Sequence, residues 1–144
     1  MSKELDKVKE LLIDENLKFV LIKDDRIIKS KDRGVKPLLD LIRSKEDVRG
    51  FSAADKVVGK AAALLYLKLG VREIYARLIS KEAVDLFKEN GVYYEYTSIQ
   101  PFIKNRDLTD MCPMDKSVRS ISDPDKAFIA ISETVRRLME TKTS

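Results

Sequence analysis

The chain has 144 residues, of which 44% are hydrophobic and 36% are charged. A chain of this length can bury about two-thirds of its unfolded surface without disulfides or metals, and its apolar content excludes an intrinsically disordered protein. The net charge of +4 is too small and too dispersed to indicate nucleic acid by itself. We therefore expect one domain over residues 1–144, with a flexible tail near 140–144.

The N-terminus is charged from the outset, and no apolar run approaches the roughly 18 to 20 residues of a membrane span. A single cysteine cannot form an internal disulfide, which agrees with a reducing compartment. These features predict a cytoplasmic protein with no membrane partner. The many charged residues of both signs are typical of an ion-pair-rich surface and would suit a thermophilic source.

The first part of the chain predicts a helix followed by an antiparallel hairpin. Leu5, Val8 and Leu12 recur at helical spacing. Residues 17–22 and 26–30 are β-prone runs separated by Lys-Asp-Asp, a composition typical of a tight turn. These two runs are the first two predicted strands.

The middle of the chain predicts two further helices. Pro37 opens a short one, because the first helical position needs no amide donor. Ser52 is then expected to cap a long helix that Gly70 ends. This helix is apolar on more than one side, which indicates a central position in the fold.

The last part predicts a strand at 71–79, a helix from Ser80 to Phe87 and a strand at 92–99, which together form a parallel pair with a right-handed crossover. Asp123 and Pro124 begin a final helix, whose core face we expect to carry Phe128, Ile131, Val135 and Leu138. The predicted fold class is α/β, a three-layer α-β-α sandwich whose mixed sheet has an antiparallel hairpin followed by parallel strands.

This order of elements is similar to the cytidine deaminase-like fold. More specifically, the segments Asp32-Arg33-Gly34-Val35-Lys36-Pro37, 54–60 and Cys112-Pro113-Met114-Asp115 resemble the domain-of-unknown-function family numbered 1893. The resemblance covers nearly the whole chain and implies a zinc-less branch of that fold. It implies architecture far more than activity, since the family has no established reaction.

Zinc deaminases of this fold carry a His or Cys and then a Glu two residues on at the start of the central helix, and Pro-Cys-x-x-Cys opening the crossover helix. In this chain Ala53 and Asp55 fall at the first pair of positions, and Ser80 and Ala83 fall at the two cysteines. The chain has no histidine. We therefore expect no metal, no cofactor and no zinc-dependent deamination.

Two residues are candidates for catalysis. Asp55 is expected on the first turn of the central helix, where it could transfer protons or only stabilise the helix start through the dipole. Cys112, beside Pro113, could act as a nucleophile, line a pocket, or be an ordinary buried small side chain. The sequence leaves these alternatives open.

The candidate ligand-binding residues are Arg33, Ser52, Lys56, Lys60 and Asp115. Lys56 and Lys60 are one turn apart near the predicted helix start, where free amides attract anions. The alternative is a solvated polar surface. Residues 54–61 also approximate a phosphate-binding loop, but alanines replace a glycine and the magnesium-binding hydroxyl, and no strand is predicted before it.

Three functions remain after these exclusions, and enzymatic activity stays open in the first. The favoured one is an uncharacterised deaminase-fold protein that binds a nucleotide-like or other small anionic ligand at the amino end of the central helix, with metal-independent chemistry left open. The alternative is a non-catalytic interaction module or homodimer. Direct binding of nucleic acid through Tyr93, Tyr94 and Tyr96 is the weakest, because strand tyrosines usually serve packing.

Overall fold

The computed structural model describes residues 2–105, 108 and 110–143 of the chain. The helices are α1 (Lys3–Asp14), α2 (Lys36–Arg43), α3 (Lys60–Leu69), α4 (Lys81–Glu89), α5 (Pro113–Ser117) and α6 (Pro124–Thr143). The strands are β1 (Phe19–Lys23), β2 (Arg26–Ser30), β3 (Ser52–Val58), β4 (Glu73–Ser80) and β5 (Tyr93–Gln100). Helix α6 extends into the predicted tail, and Ser144 lies outside the described residues.

The five strands form one mixed sheet in the order β2-β1-β3-β4-β5. Strand β1 is antiparallel to both β2 and β3, whereas β3, β4 and β5 are parallel. The α/β class, the antiparallel hairpin and the parallel pair joined by α4 are thus confirmed.

The segment 52–58 is a strand, so the prediction that it opens the central helix was wrong. Strand β3 lies between β1 and β4, with helices on both faces, and five of its seven residues are buried. A strand buried on both faces is apolar without alternation, and such a short run cannot be distinguished from a buried helix by periodicity. The central helix begins instead at Lys60, after the extended residue Gly59, and Gly70 ends it in the left-handed conformation (φ 79°) as predicted.

The sheet separates two layers of helix. On one face α1 buries Leu5, Val8 and Leu12 against the sheet residues Val20 and Ala54. The other face carries α2, α3, α4 and α6, which share the larger core. On α6, the predicted core face is correct for Ile131, which is fully buried, and wrong for Leu138, which is 41% exposed near the helix end.

Because β3, β4 and β5 are parallel, their carboxyl ends meet at one edge of the sheet. Antiparallel β1 begins at this edge, with Phe19 opposite Asp55. The starts of α2 and α3 and the residues of α5 also line a cavity there. The fold therefore brings distant parts of the sequence together beyond the end of β3.

Candidate functional site

A cavity of about 320 Å³ opens at the carboxyl end of β3. Its walls are the start of β1, the residues before and at the start of α2, the end of β3 and the start of α3. Ile103, Lys104, Cys112, Met114 and Asp115 complete the lining. Ligands of open α/β sheets bind in this kind of place, outside the carboxyl ends of strands where the connections diverge. The volume is at the lower end of the range for small-molecule sites.

Five of the seven predicted site residues line this cavity: Arg33, Asp55, Lys56, Cys112 and Asp115. The other two do not. Ser52 is fully buried at the opposite end of β3, where its hydroxyl donates to Glu73. Lys60 turns away, because its ammonium donates to the carbonyl of Arg119 (2.9 Å) and lies 3.8 Å from Glu82.

Asp55 lines the cavity and is 9% exposed. One carboxylate oxygen accepts a hydrogen bond from the Tyr66 hydroxyl (2.6 Å), and the other accepts from the amide of Val57 (3.1 Å). Burial raises the pKa of Asp55 to about 7, and the hydrogen bonds from Tyr66 and the backbone offset part of this rise. Near neutral pH this carboxyl can therefore either donate or accept a proton.

The position of Asp55 corrects the sequence prediction. It lies near the end of β3 and not on the first turn of a helix, so the helix dipole does not account for it. Its side chain points to the α3 face of the sheet, because it contacts Tyr66 of that helix. No cation lies within ion-pair distance of this carboxylate in the part of the chain that the structure describes.

The amino end of α3 is already occupied by Asp115, whose carboxylate accepts from the amide of Ala61 (2.9 Å). Gly59 makes room for this contact, because a Cβ there would lie 2.2 Å from a carboxylate oxygen of Asp115. Gly59 and Lys60 do follow a strand, contrary to expectation, yet Asp115 stands where a phosphate-binding loop would hold its phosphate. The amino end of the central helix is therefore not the open anion site that we expected.

Asp115 is itself buried, with 6% of its surface exposed. Burial raises the pKa of this carboxyl to about 6, while hydrogen bonds from the amides of Ala61 and Lys60 favour its charged form. The cavity thus contains two carboxyls that titrate closer to neutrality than ordinary aspartates.

Cys112 precedes α5, and its amide donates to the carbonyl of Ile103 (2.8 Å). Burial and the nearby charge of Asp115 raise the pKa of the thiol. A thiol with a raised pKa is neutral at pH 7 and a poor nucleophile. The structure therefore favours Cys112 as a residue that lines the cavity.

Four cationic residues line the cavity. Lys18 and Lys104 line the cavity together with Arg33 and Lys56. Lys56 donates to the side-chain oxygen of Asn16, whereas the other three make no ion pair with the described residues. An anion entering the cavity would meet several positive charges without displacing a protein carboxylate from them.

Sequence reasoning missed Lys18, Lys104 and Tyr66. Tyr66 is fully buried in an apolar helix and reads as an ordinary core residue. The only available signal was its hydroxyl, which requires a partner when buried. The lysines gave no signal, because most lysines are solvated.

Ser80 and Ala83 stand at the start of α4 as predicted, with the Ser80 hydroxyl accepting from the amide of Ala83 (3.2 Å).

Among residues 2–105, 108 and 110–143, no group of three His, Cys, Asp or Glu side chains is arranged to hold a metal ion. None of the helices in these ranges has the length and apolar character that crossing a bilayer requires.

The chain forms an α/β domain with a five-stranded mixed sheet. Residues 7–135 match one family model, described as "Domain of unknown function (DUF1893)". The chain belongs to this family, as the resemblance of its sequence segments suggested. A comparison with curated proteins found no match.

Among solved structures, the chain is similar to the crystal structure of a DUF1893 family protein, TM1506, from Thermotoga maritima. The two are 33% identical, the match covers 92% of each chain, and the TM-score is 0.82. The similarity therefore extends over nearly the whole domain.

Proposed function

We propose that this protein binds a small anionic ligand in the cavity above Asp55, and not at the amino end of α3. The observation that carries the proposal is the buried carboxyl of Asp55, which has no cationic partner among the described residues. This carboxyl lines a cavity that is also lined by cations without an ion pair to those residues. Such a carboxyl costs stability, and a binding site is a common reason for a protein to retain it.

The arrangement separates two kinds of interaction. Asp55 offers the ligand one hydrogen-bonding carboxyl, which Tyr66 and the Val57 amide hold in place. Arg33 offers a planar guanidinium that suits a phosphate or carboxylate, and Lys18 and Lys104 add positive charge. A nucleotide-like compound, with a polar heterocycle at one end and an anionic group at the other, has both features.

The architecture supports a finer proposal, that the domain is a zinc-less branch of the cytidine deaminase-like fold. An antiparallel hairpin beside three parallel strands, with α3 and α4 as crossovers, agrees with that arrangement. The true start of the central helix is Gly59-Lys60-Ala61, which has no metal-binding side chain, and Ser80 and Ala83 open the next crossover. Any reaction here would use Asp55 for proton transfer without a metal hydroxide.

A ligand-screening thermal melt with nucleosides, nucleotides and phosphorylated sugars tests the proposal, because specific binding raises the melting temperature. We expect Asp55→Asn and Arg33→Gln to abolish or strongly reduce the shift. Lys60→Gln is the matched control, since it removes a cation at the start of α3 that does not line the cavity. A shift that Lys60→Gln removes and Asp55→Asn retains would overturn the proposal and restore the helix terminus as the site.

A second candidate is a homodimer formed through the outer edge of β5. This edge pairs with no strand of the described chain, and it exposes Tyr93 (52%), Tyr96 (43%) and Ile99 (39%). Unprotected edge strands favour pairing. An antiparallel pair of β5 strands centred on Tyr96 would place Tyr93 opposite Ile99 of the second copy.

Light scattering tests this dimer. The wild type should be a dimer and Tyr96→Lys should be a monomer, whereas a monomeric wild type would exclude the β5 dimer.

A further inference from the structure

Three cations lie side by side across the sheet: Lys18, Lys56 and Arg77. The amide of Lys56 donates to the carbonyl of Lys18 (3.0 Å), which places these two residues opposite each other. The strand pairs Asp55–Ala76 and Val57–Leu78 place Lys56 beside Arg77. We call these three residues the cation row.

The cation row faces the side of the sheet that α1 covers. Side chains alternate along a strand, so residues two apart share a face. Lys18, Lys56 and Arg77 are each two residues from one that is buried beneath α1, namely Val20, Ala54 and Tyr75. The row therefore begins on the opposite face of the sheet from the carboxyl of Asp55.

Like charges placed directly opposite each other on neighbouring strands destabilise a sheet. None of the three side chains forms an ion pair with the residues that the structure describes, and Lys56 has only the neutral partner Asn16. Burial, followed by repulsion from Lys18 and Arg77, lowers the pKa of Lys56. The folded chain thus maintains a concentration of positive charge that its own described carboxylates do not neutralise.

A second cavity, of about 340 Å³, lies over Lys56 and Arg77 of the row, between the end of α1 and the sheet. Its polar lining comes from Lys56, Arg77, Asn16, Tyr75 and Thr97, and no carboxylate among the described residues contributes to it. The Tyr75 and Thr97 hydroxyls hydrogen-bond each other. The cavity therefore combines two cations and an amide with the one hydroxyl hydrogen that the Tyr75–Thr97 bond leaves free, and these groups can donate to phosphate oxygens.

We propose that the cation row binds a multiply charged phosphate group on the α1 face of the sheet. Neighbouring strands are about 4.8 Å apart, so the row extends over roughly 10 Å and suits a diphosphate or triphosphate better than a single carboxylate. Lys56 borders both cavities, whereas Lys18 borders only the Asp55 cavity and Arg77 borders only this one. The site is thus separable from the Asp55 cavity by experiment.

Isothermal titration with tripolyphosphate at low ionic strength tests this proposal. We expect saturable binding by the wild type and about tenfold weaker binding by Arg77→Gln, because a charge-assisted hydrogen bond contributes about 1.5 kcal/mol or more. Lys126→Gln, which removes an exposed cation on α6, is the matched control and should bind like the wild type. Absence of saturable binding, or an equal loss in both variants, would overturn the proposal and leave the row as compensation for the negative end of α1.

Two further variants keep this outcome distinct from that of the Asp55 cavity. Arg77→Gln should weaken tripolyphosphate binding more than Asp55→Asn or Arg33→Gln does if the row is the site. A nucleoside triphosphate then identifies the source of the phosphate. Affinity equal to that of tripolyphosphate assigns a free phosphate chain to the row, whereas tighter binding that Asp55→Asn weakens shows that a nucleotide spans the row and the cavity. Loss of tripolyphosphate binding in Asp55→Asn would contradict the assignment to the row.

Discussion

Two buried carboxylates on neighbouring strands have opposite environments. Glu73, at the start of β4, is 4% exposed, accepts from the hydroxyls of Ser2 and Ser52, and lies 3.7 Å from the guanidinium of Arg72. Asp55, near the end of β3, has a tyrosine and an amide as partners and faces a cavity. Glu73 therefore has protein groups as partners at one end of the sheet, whereas Asp55 faces a cavity that a ligand can enter at the other end.

The largest loss of stability that we expect from a single substitution separates these two acids. Glu73→Ala should lower the free energy of unfolding by about 3 kcal/mol, because two hydroxyls lose their acceptor and each such loss costs about 1 to 3 kcal/mol. Asp55→Ala should cost less than about 1 kcal/mol. The Tyr66 hydroxyl loses its acceptor, but this loss is offset because the substitution removes a buried charge that lacks a cationic partner among the described residues. Urea denaturation of both variants at pH 7 measures the difference.

The ligand-induced rise in melting temperature should depend on the two acids in the opposite way to stability. Glu73→Ala should retain the ligand-induced rise in melting temperature, and Asp55→Ala should lose it. If Asp55→Ala is as destabilising as Glu73→Ala, Asp55 belongs to the structural framework and the contrast between the two ends of the sheet fails.

A smaller effect concerns the wall that Asp115 builds beside Asp55. Gly59→Ala should destabilise the domain by about 2 kcal/mol, because the new Cβ overlaps the Asp115 carboxylate and overpacking of buried sites costs about 1 to 3 kcal/mol. Asp115→Ala in the same chain should remove the overlap, so the double variant should be more stable than the sum of the single losses predicts. Additive losses in a double-mutant cycle would show that Asp115 does not set the need for glycine at 59.

Much of this fold follows from local sequence. The hairpin is marked by its turn composition, α4 by its capping serine, and the end of α3 by Gly70, and all three signals act within a few residues of the element they define. Strand β3 carries no such signal, because burial on both faces removes the alternation by which strands are recognised. Its identity depends on its neighbours β1 and β4, which are far away in the sequence.

The site was predictable to the extent that it did not depend on the helix boundary. Arg33, Asp55 and Cys112 line one cavity because the order of elements brings their segments to one edge of the sheet. Ser52 and Lys60 were chosen only because the helix was expected to begin at 52, and they fail with that boundary. The anion site at the helix terminus fails for a different reason, since the capping carboxylate of Asp115 comes from a segment with weak periodicity.

The effect most specific to Asp55 is a dependence of stability on pH. The pKa of this carboxyl is raised from 3.8 to about 7 on folding, so between these values the folded state binds a proton that the unfolded state has lost. Stability should therefore fall as pH rises from about 4 to about 7, by up to about 1.4 kcal/mol per pH unit from this group, and then level off. Asp115 contributes a fall of the same sign below about pH 6.

Urea denaturation over a pH series, on wild type and on two variants, isolates the contribution of Asp55. Asp55→Asn should keep only the Asp115 contribution and show a flat profile between about pH 6 and 7. Tyr66→Phe should extend the fall above pH 7, because the hydrogen bond from Tyr66 favours the charged carboxylate and its removal raises the pKa further. If Asp55→Asn instead reproduces the wild-type slope between pH 6 and 7, the carboxyl is ionised throughout that range, and proton transfer by Asp55 near neutrality loses its physical basis.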